Sequence, residues 1–141
     1  MCIRDSAYIA GRFEVRGKWI FDVAHNPDGM KVVAETIRSS EPPVQRPLHA
    51  LVGIRNDKDW KGMLDMLAPV ADAIVLTVPP SIPVMQRWSV ADFDGRAIPF
   101  EPDFERALHD IQEGAGTVLV TGSFHTVGDA MARLPGFAPV G

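Results

Sequence analysis

A single cysteine in 141 residues, Cys2, excludes an internal disulfide. The four histidines, His25, His49, His109 and His125, lie too far apart in sequence to form a zinc-ligand spacing, so no metal site is expected. Basic residues neither dominate nor cluster. Lys and Arg number 14 against 18 Asp and Glu, a formal charge of −4, which argues against a nucleic-acid partner. No apolar run approaches the roughly 20 residues of a membrane helix, and no signal-peptide core follows Met1, so no membrane partner and a cytoplasmic location are expected. Two nucleotide motifs are also missing. Gly11 and Gly17-Lys18 have the wrong spacing for a P-loop, and Trp19 stands where a magnesium-binding Ser or Thr would be. Gly114-Ala115-Gly116 precedes an apolar run instead of following one, and lacks the third glycine of a dinucleotide fingerprint.

What is present alternates. Phe13–Arg16 and Lys18–Val23 flank Gly17 and read as a hairpin, which gives the sheet one antiparallel edge. Three runs, 48–52, 73–77 and 117–121, are nearly continuous in apolar residues, as strands covered on both faces must be. A weaker run, 97–100, contains Pro99 and belongs at an edge. Amphipathic helices fall between them. Their stripes are Met30, Val33, Ala34, Ile37; Trp60, Met63, Leu64, Leu67; Phe104, Ala107, Leu108, Ile111; and Phe124, Val127, Met131, Leu134. The segment 78–95 reads as a long connection with a short helical turn capped by Ser89. This pattern predicts an α/β, Rossmann-like, three-layer domain with a mostly parallel sheet, an antiparallel edge strand and helices on both faces.

Residues just after parallel strands converge on one edge of the sheet, where open α/β folds bind ligands. Three such ends are polar: Asp22/His25/Asn26, then Gly53 to Asp59, then Thr121 to Thr126. Helix N-termini there favour phosphate or carboxylate. Each residue has two readings. Asp22 is a turn-capping acid or an acceptor for ribose hydroxyls. Asn26, Asp57 and Ser123 are N-caps or ligand contacts, and Lys58 is a solvated first-turn residue or a phosphate contact. His49 and His109 read as structural or solvent-facing, whereas His25 and His125 stand at the ligand edge and can donate to an anion or exchange a proton.

Taken in order, Gly11-Arg12, Asp22-Val23-Ala24-His25-Asn26-Pro27-Asp28-Gly29, Gly53-Ile54-Arg55-Asn56-Asp57-Lys58-Asp59 and Gly122-Ser123-Phe124-His125-Thr126-Val127 form a specific combination. Over residues 11–134 the chain resembles the C-terminal domain of the folylpolyglutamate synthase/dihydrofolate synthase family, within the Mur ligase superfamily. Ala10 departs from the proline usual before Gly-Arg in that family. The resemblance implies a ligase in which ATP phosphorylates a pteroate or folate carboxylate to an acyl phosphate, which the amino group of L-glutamate attacks. It makes Arg12 a contact to ATP phosphates and Asp22 the acid that binds the ATP ribose. His25 becomes the catalytic residue beside the reacting phosphate and glutamate, with Asn26 and Ser123 as substrate contacts. Lys58 and His125 are further contacts. The magnesium ion of the reaction is expected to have its ligands in a preceding P-loop domain, and the parent enzyme is expected to be monomeric.

Residues 1–10 are read as a non-native or truncated leader and 11–141 as the ligase domain, a detached piece expected to be inactive alone. Two alternatives stay open. One is a peptidoglycan Mur ligase C-terminal domain, which shares the Asp-x-x-His-Asn-Pro turn. The other is a stand-alone nucleotide-binding module.

Overall fold

The computed structural model describes residues 13–87 and 99–134. Strands β1 (Glu14–Arg16) and β2 (Trp19–Asp22) are followed by helix α1 (Pro27–Arg38), strand β3 (Leu48–Val52), helix α2 (Trp60–Leu67) and strand β4 (Ala73–Thr77). A 3-10 turn at Val84–Gln86, strand β5 (Phe100–Glu101), helix α3 (Phe104–Asp110), strand β6 (Thr117–Thr121) and helix α4 (Phe124–Arg133) complete the order. The sheet runs β1-β2-β6-β3-β4-β5. Only β1 is antiparallel, pairing Arg16 with Trp19 across the Gly17-Lys18 turn, where Gly17 holds φ +60°. The hairpin, the parallel sheet and all four helices are those the sequence predicts.

Period-two alternation divides the side chains between two cores. Ile20, Leu48, Ala50, Val52 and Leu119 pack with the α1 stripe Met30, Val33, Ala34 and Ile37 and with Met63, Leu64 and Leu67 of α2. Trp19, Phe21, Leu51, Val118 and Val120 face the other way, onto Phe104, Ala107 and Leu108 of α3 and Val127, Ala130 and Met131 of α4. Trp19 and Phe21 stack at 6.0 Å. Each fully buried aliphatic side chain contributes about 1.5–3 kcal/mol. The result is the three-layer sandwich, with α1 and α2 on one face and α3 and α4 on the other. Strand β6 lies between β2 and β3 but sends its helix to the opposite face, so the loops after these strands diverge and leave a crevice.

Two packing expectations are corrected. Phe124 is not in the stripe of α4: it is 56% exposed, because Ser123 caps the helix and leaves the next residue at the open sheet edge. Thr126 and Ala130 are buried in the stripe instead. The cap of α2 is Asp59, whose carboxylate accepts from Gly62 N–H at 3.0 Å, while Asp57 pairs with Arg55. Among the described residues the weak fourth strand spans Phe100–Glu101 and pairs only with β4, the edge position Pro99 calls for. Residues 97 and 98, the Ser89 turn and the leader lie outside the described residues. Among the described residues no helix is long and apolar enough to cross a membrane.

Candidate functional site

At the C-terminal ends of β2, β3 and β6 the chain is packed backbone to backbone. Gly53 N–H donates to Thr121 O at 3.1 Å, extending the β3–β6 ladder past its end. Thr126 Oγ1 donates to Gly53 O at 2.6 Å, tying the first turn of α4 to the same point. A Cβ on Gly53 would meet Pro79 and Thr126 at 2.6 Å, so only glycine admits this approach. Gly122, at φ +117°, turns the chain from β6 into α4 beside Gly53.

These contacts bring three strand ends around one cleft of about 250 Å³, lined by His25, Arg55, Lys58, Gly122–Ser123, Phe124 and His125. The sequence-predicted His25, Lys58, Ser123 and His125 therefore share a wall. His25 also borders an adjoining cleft of about 270 Å³ that contains Asp22, Asn26 and Gly29. The rings of His25 and Phe124 lie 6.0 Å apart. Arg12, expected at the same edge, falls outside the described residues. Its successor Phe13 has φ 46°, an uncommon value for a bulky residue, and donates its N–H to Asp22 Oδ2 at 2.8 Å.

Hydrogen bonding settles the polarity of each group. Asp22 accepts from Phe13 and, through Oδ1, from Ala24 N–H at 2.9 Å, so its turn-capping role is realised. Asn26 caps α1, accepting from Gly29 N–H at 2.7 Å, with Pro27 in the first turn. His25 Nδ1 lies 3.2 Å from Val23 O, an acceptor only, so Nδ1 donates and the neutral ring keeps Nε2 as acceptor. Because Thr126 spends its hydroxyl proton on Gly53 O, Ser123 Oγ–H donates to Thr126 Oγ1 at 2.9 Å and its oxygen accepts Thr126 N–H at 3.1 Å. Ser123 thus faces any ligand as an acceptor.

The charges favour anions beside these acceptors. Arg55 is compensated by Asp57, Nη2 to Oδ2 2.8 Å, whereas Lys58 makes no ion pair among the described residues. The first-turn N–H groups of Phe124 and His125 have no acceptor inside α4. Such donors hold phosphate or carboxylate oxygens. Among the described residues no three His, Cys, Asp or Glu side chains gather to hold a metal ion. Arg55, which the sequence places in the polar strand end Gly53 to Asp59 without a role of its own, also lines this cleft. His49 and His109 take the structural and solvent roles expected: His49 Nδ1 lies 3.0 Å from Ile111 O, and His109 is exposed.

The known proteins to which this chain is similar agree with one another. The dihydrofolate synthase/folylpolyglutamate synthase of Escherichia coli (strain K12) is 33% identical over 154 residues, covering 92% of this chain and 32% of its own length. The solved bifunctional folylpolyglutamate synthase/dihydrofolate synthase of Yersinia pestis, complexed with AMPPNP and a manganese ion, superposes with a TM-score of 0.74 at 29% identity, over 90% of this chain and 32% of that one. A structure of a bifunctional folylpolyglutamate synthase/dihydrofolate synthase with manganese, AMPPNP and L-glutamate bound gives 0.73 at 29% identity, with the same 90% and 32% coverage. The chain thus spans about a third of the length of these relatives. Residues 11–124, which hold the first two polar strand ends and the third as far as Phe124, match the family model described as Mur ligase, glutamate ligase domain. With the family model matched over most of the chain and the superposed fold in agreement, the chain belongs to the Mur ligase glutamate ligase domain family.

Proposed function

We propose that residues 11–141 are the glutamate-ligase domain of an ATP-dependent, cytoplasmic folylpolyglutamate synthase/dihydrofolate synthase, which joins L-glutamate to a pteroate or folate carboxylate through an acyl phosphate. The observation that carries this reading is the shared cleft: uncompensated Lys58 and the α4 first-turn N–H groups stand beside the acceptors His25 Nε2 and Ser123 Oγ. An anion and an amino group are the two charges the reaction must bring together.

In this reading the amine nitrogen of glutamate attacks the acyl carbon, the carbon–nitrogen bond forms, and the carbon–oxygen bond to phosphate breaks as inorganic phosphate leaves. The ammonium first gives one proton to solvent to become the amine, and His25 Nε2, held in place by the Nδ1–H bond to Val23, takes the second as the amide forms. Ser123 Oγ accepts from the glutamate ammonium before attack, and Asn26 keeps the start of α1 in register beside it. Lys58 and the α4 N-terminus neutralise the transferred and departing phosphate. Asp22 accepts the ATP ribose hydroxyls, and Arg12 forks onto the ATP phosphates. Magnesium would shield the triphosphate charge, held by carboxylates outside this chain.

The test joins this chain to the complementary segment of the Escherichia coli relative and measures ATP-dependent incorporation of labelled glutamate into dihydropteroate or tetrahydrofolate. Turnover by the joined protein and none by the 141-residue chain supports the proposal. Turnover by the 141-residue chain alone refutes its dependence on a P-loop domain. An inactive but folded joined protein that binds ATP refutes the ligase reading.

A further inference from the structure

One group of side chains, which reaches the cleft wall through His125, has no part in the chemistry above. Ser81, in the connection after β4, donates both its N–H, at 3.0 Å, and its Oγ–H, at 2.9 Å, to Asp129 Oδ2 on α4. The same Ser81 Oγ lies 3.0 Å from His125 Nδ1. Although the three residue types are those of a nucleophilic triad, the connectivity is different: the carboxylate holds the serine and not the imidazole. An ionised carboxylate only accepts, so the serine proton is committed to Asp129, and Oγ can meet Nδ1 only as an acceptor. The proton of the neutral ring therefore sits on Nδ1, and Nε2 is left as the acceptor.

We infer that Ser81 and Asp129 are positioning residues that lock His125 in its Nδ1–H tautomer, making Nε2 the second proton-accepting nitrogen of the cleft beside that of His25. The two imidazoles are then matched in polarity, one held by Val23 O and the other by Ser81 Oγ. Together with Ser123 Oγ they form an acceptor set for a primary ammonium group, and this assignment of the ligand rests on the reading given under Proposed function. The sequence separations of 44 between Ser81 and His125 and 48 between Ser81 and Asp129 make the device a product of the fold, linking the connection after β4 to the first turn of α4.

The experiment is a long-range proton–nitrogen correlation spectrum of the 141-residue chain with ¹⁵N-labelled histidine, recorded well above the ordinary imidazole pKa of about 6.5. His125 is assigned by its loss in His125→Asn. We expect the Nδ1–H pattern for His125 in the wild-type chain. Ser81→Ala and Asp129→Ala should each invert it to Nε2–H, the second because the freed serine hydroxyl then donates to Nδ1. Ser81→Thr should restore the wild-type pattern, and His25 should remain Nδ1–H throughout. A wild-type His125 in the Nε2–H form, or a folded Ser81→Ala chain that keeps Nδ1–H, overturns the inference. Neither result depends on ligation, so an inactive joined ligase would count against the proposed reaction alone.

Discussion

Replacing Gly122 by alanine strikes the junction on which the whole site depends. The residue sits at φ +117°, where an L side chain costs about 1–3 kcal/mol in backbone strain alone. The added Cβ would also press on the Gly53 backbone, with the carbonyl carbon at 2.9 Å and the nitrogen at 3.0 Å. Gly53 cannot retreat, since its N–H is bonded to Thr121 O and its carbonyl to Thr126 Oγ1. Forced overpacking of this kind costs a further 1–3 kcal/mol or so, giving roughly 4 kcal/mol in total. For a domain of this size that lowers Tm by more than about 10 °C. Gly128, exposed on the same helix with nothing within 4 Å of an added Cβ, is the matched control. Gly128→Ala should gain about 1 kcal/mol of helix propensity and raise Tm by a few degrees. Thermal melts followed by circular dichroism would measure both variants. A Gly122→Ala protein melting within about 2 °C of wild type would show that the β6–α4 junction is not pinned as described.

Leu119→Ala, in the fully buried strand β6 between β2 and β3, should cost about 2–5 kcal/mol by urea unfolding, and a loss below about 1 kcal/mol would place this side chain outside a close-packed core. Asp72 has its pKa lowered from the ordinary 3.8, first by the Leu48 N–H and then by Arg46. A carboxylate whose folded pKa is depressed stabilises the fold above its unfolded value and loses that contribution as pH falls through the lowered folded value. The stability gap between wild type and Asp72→Asn should therefore be present at neutral pH and shrink below about pH 3.8. A gap that stays constant across that range would contradict the assignment.

Much of this fold can be read locally. Strands β3 and β6 are buried on both faces, so continuous apolar runs mark them. Asn26 and Ser123 announce helix starts because a short polar side chain followed by a helical stripe has few other uses. Where two acids compete for one cap, as Asp57 and Asp59 do, local chemistry does not choose, and the winner is the one whose carboxylate reaches the Gly62 N–H. The exposure of Phe124 is likewise tertiary, set by where α4 begins relative to the sheet edge. In the site, the convergence of His25, Lys58, Ser123 and His125 follows from the parallel topology and is legible from strand ends alone. The polarity of those groups is not. It depends on Thr126 reaching Gly53 and on Ser81 reaching Asp129, contacts that no spacing in the sequence encodes.

Whether the three strand ends form one cleft for an anion and an amino group, as proposed, is decided by amide chemical-shift mapping of the 141-residue chain during titration with ATP and then L-glutamate. Shifts are expected to concentrate at His25, Arg55, Lys58 and Gly122 to His125, with the ATP response weakened in Lys58→Ala. Shifts confined to the opposite edge of the sheet, around Val15 and Val44, or none at the three strand ends, would contradict it.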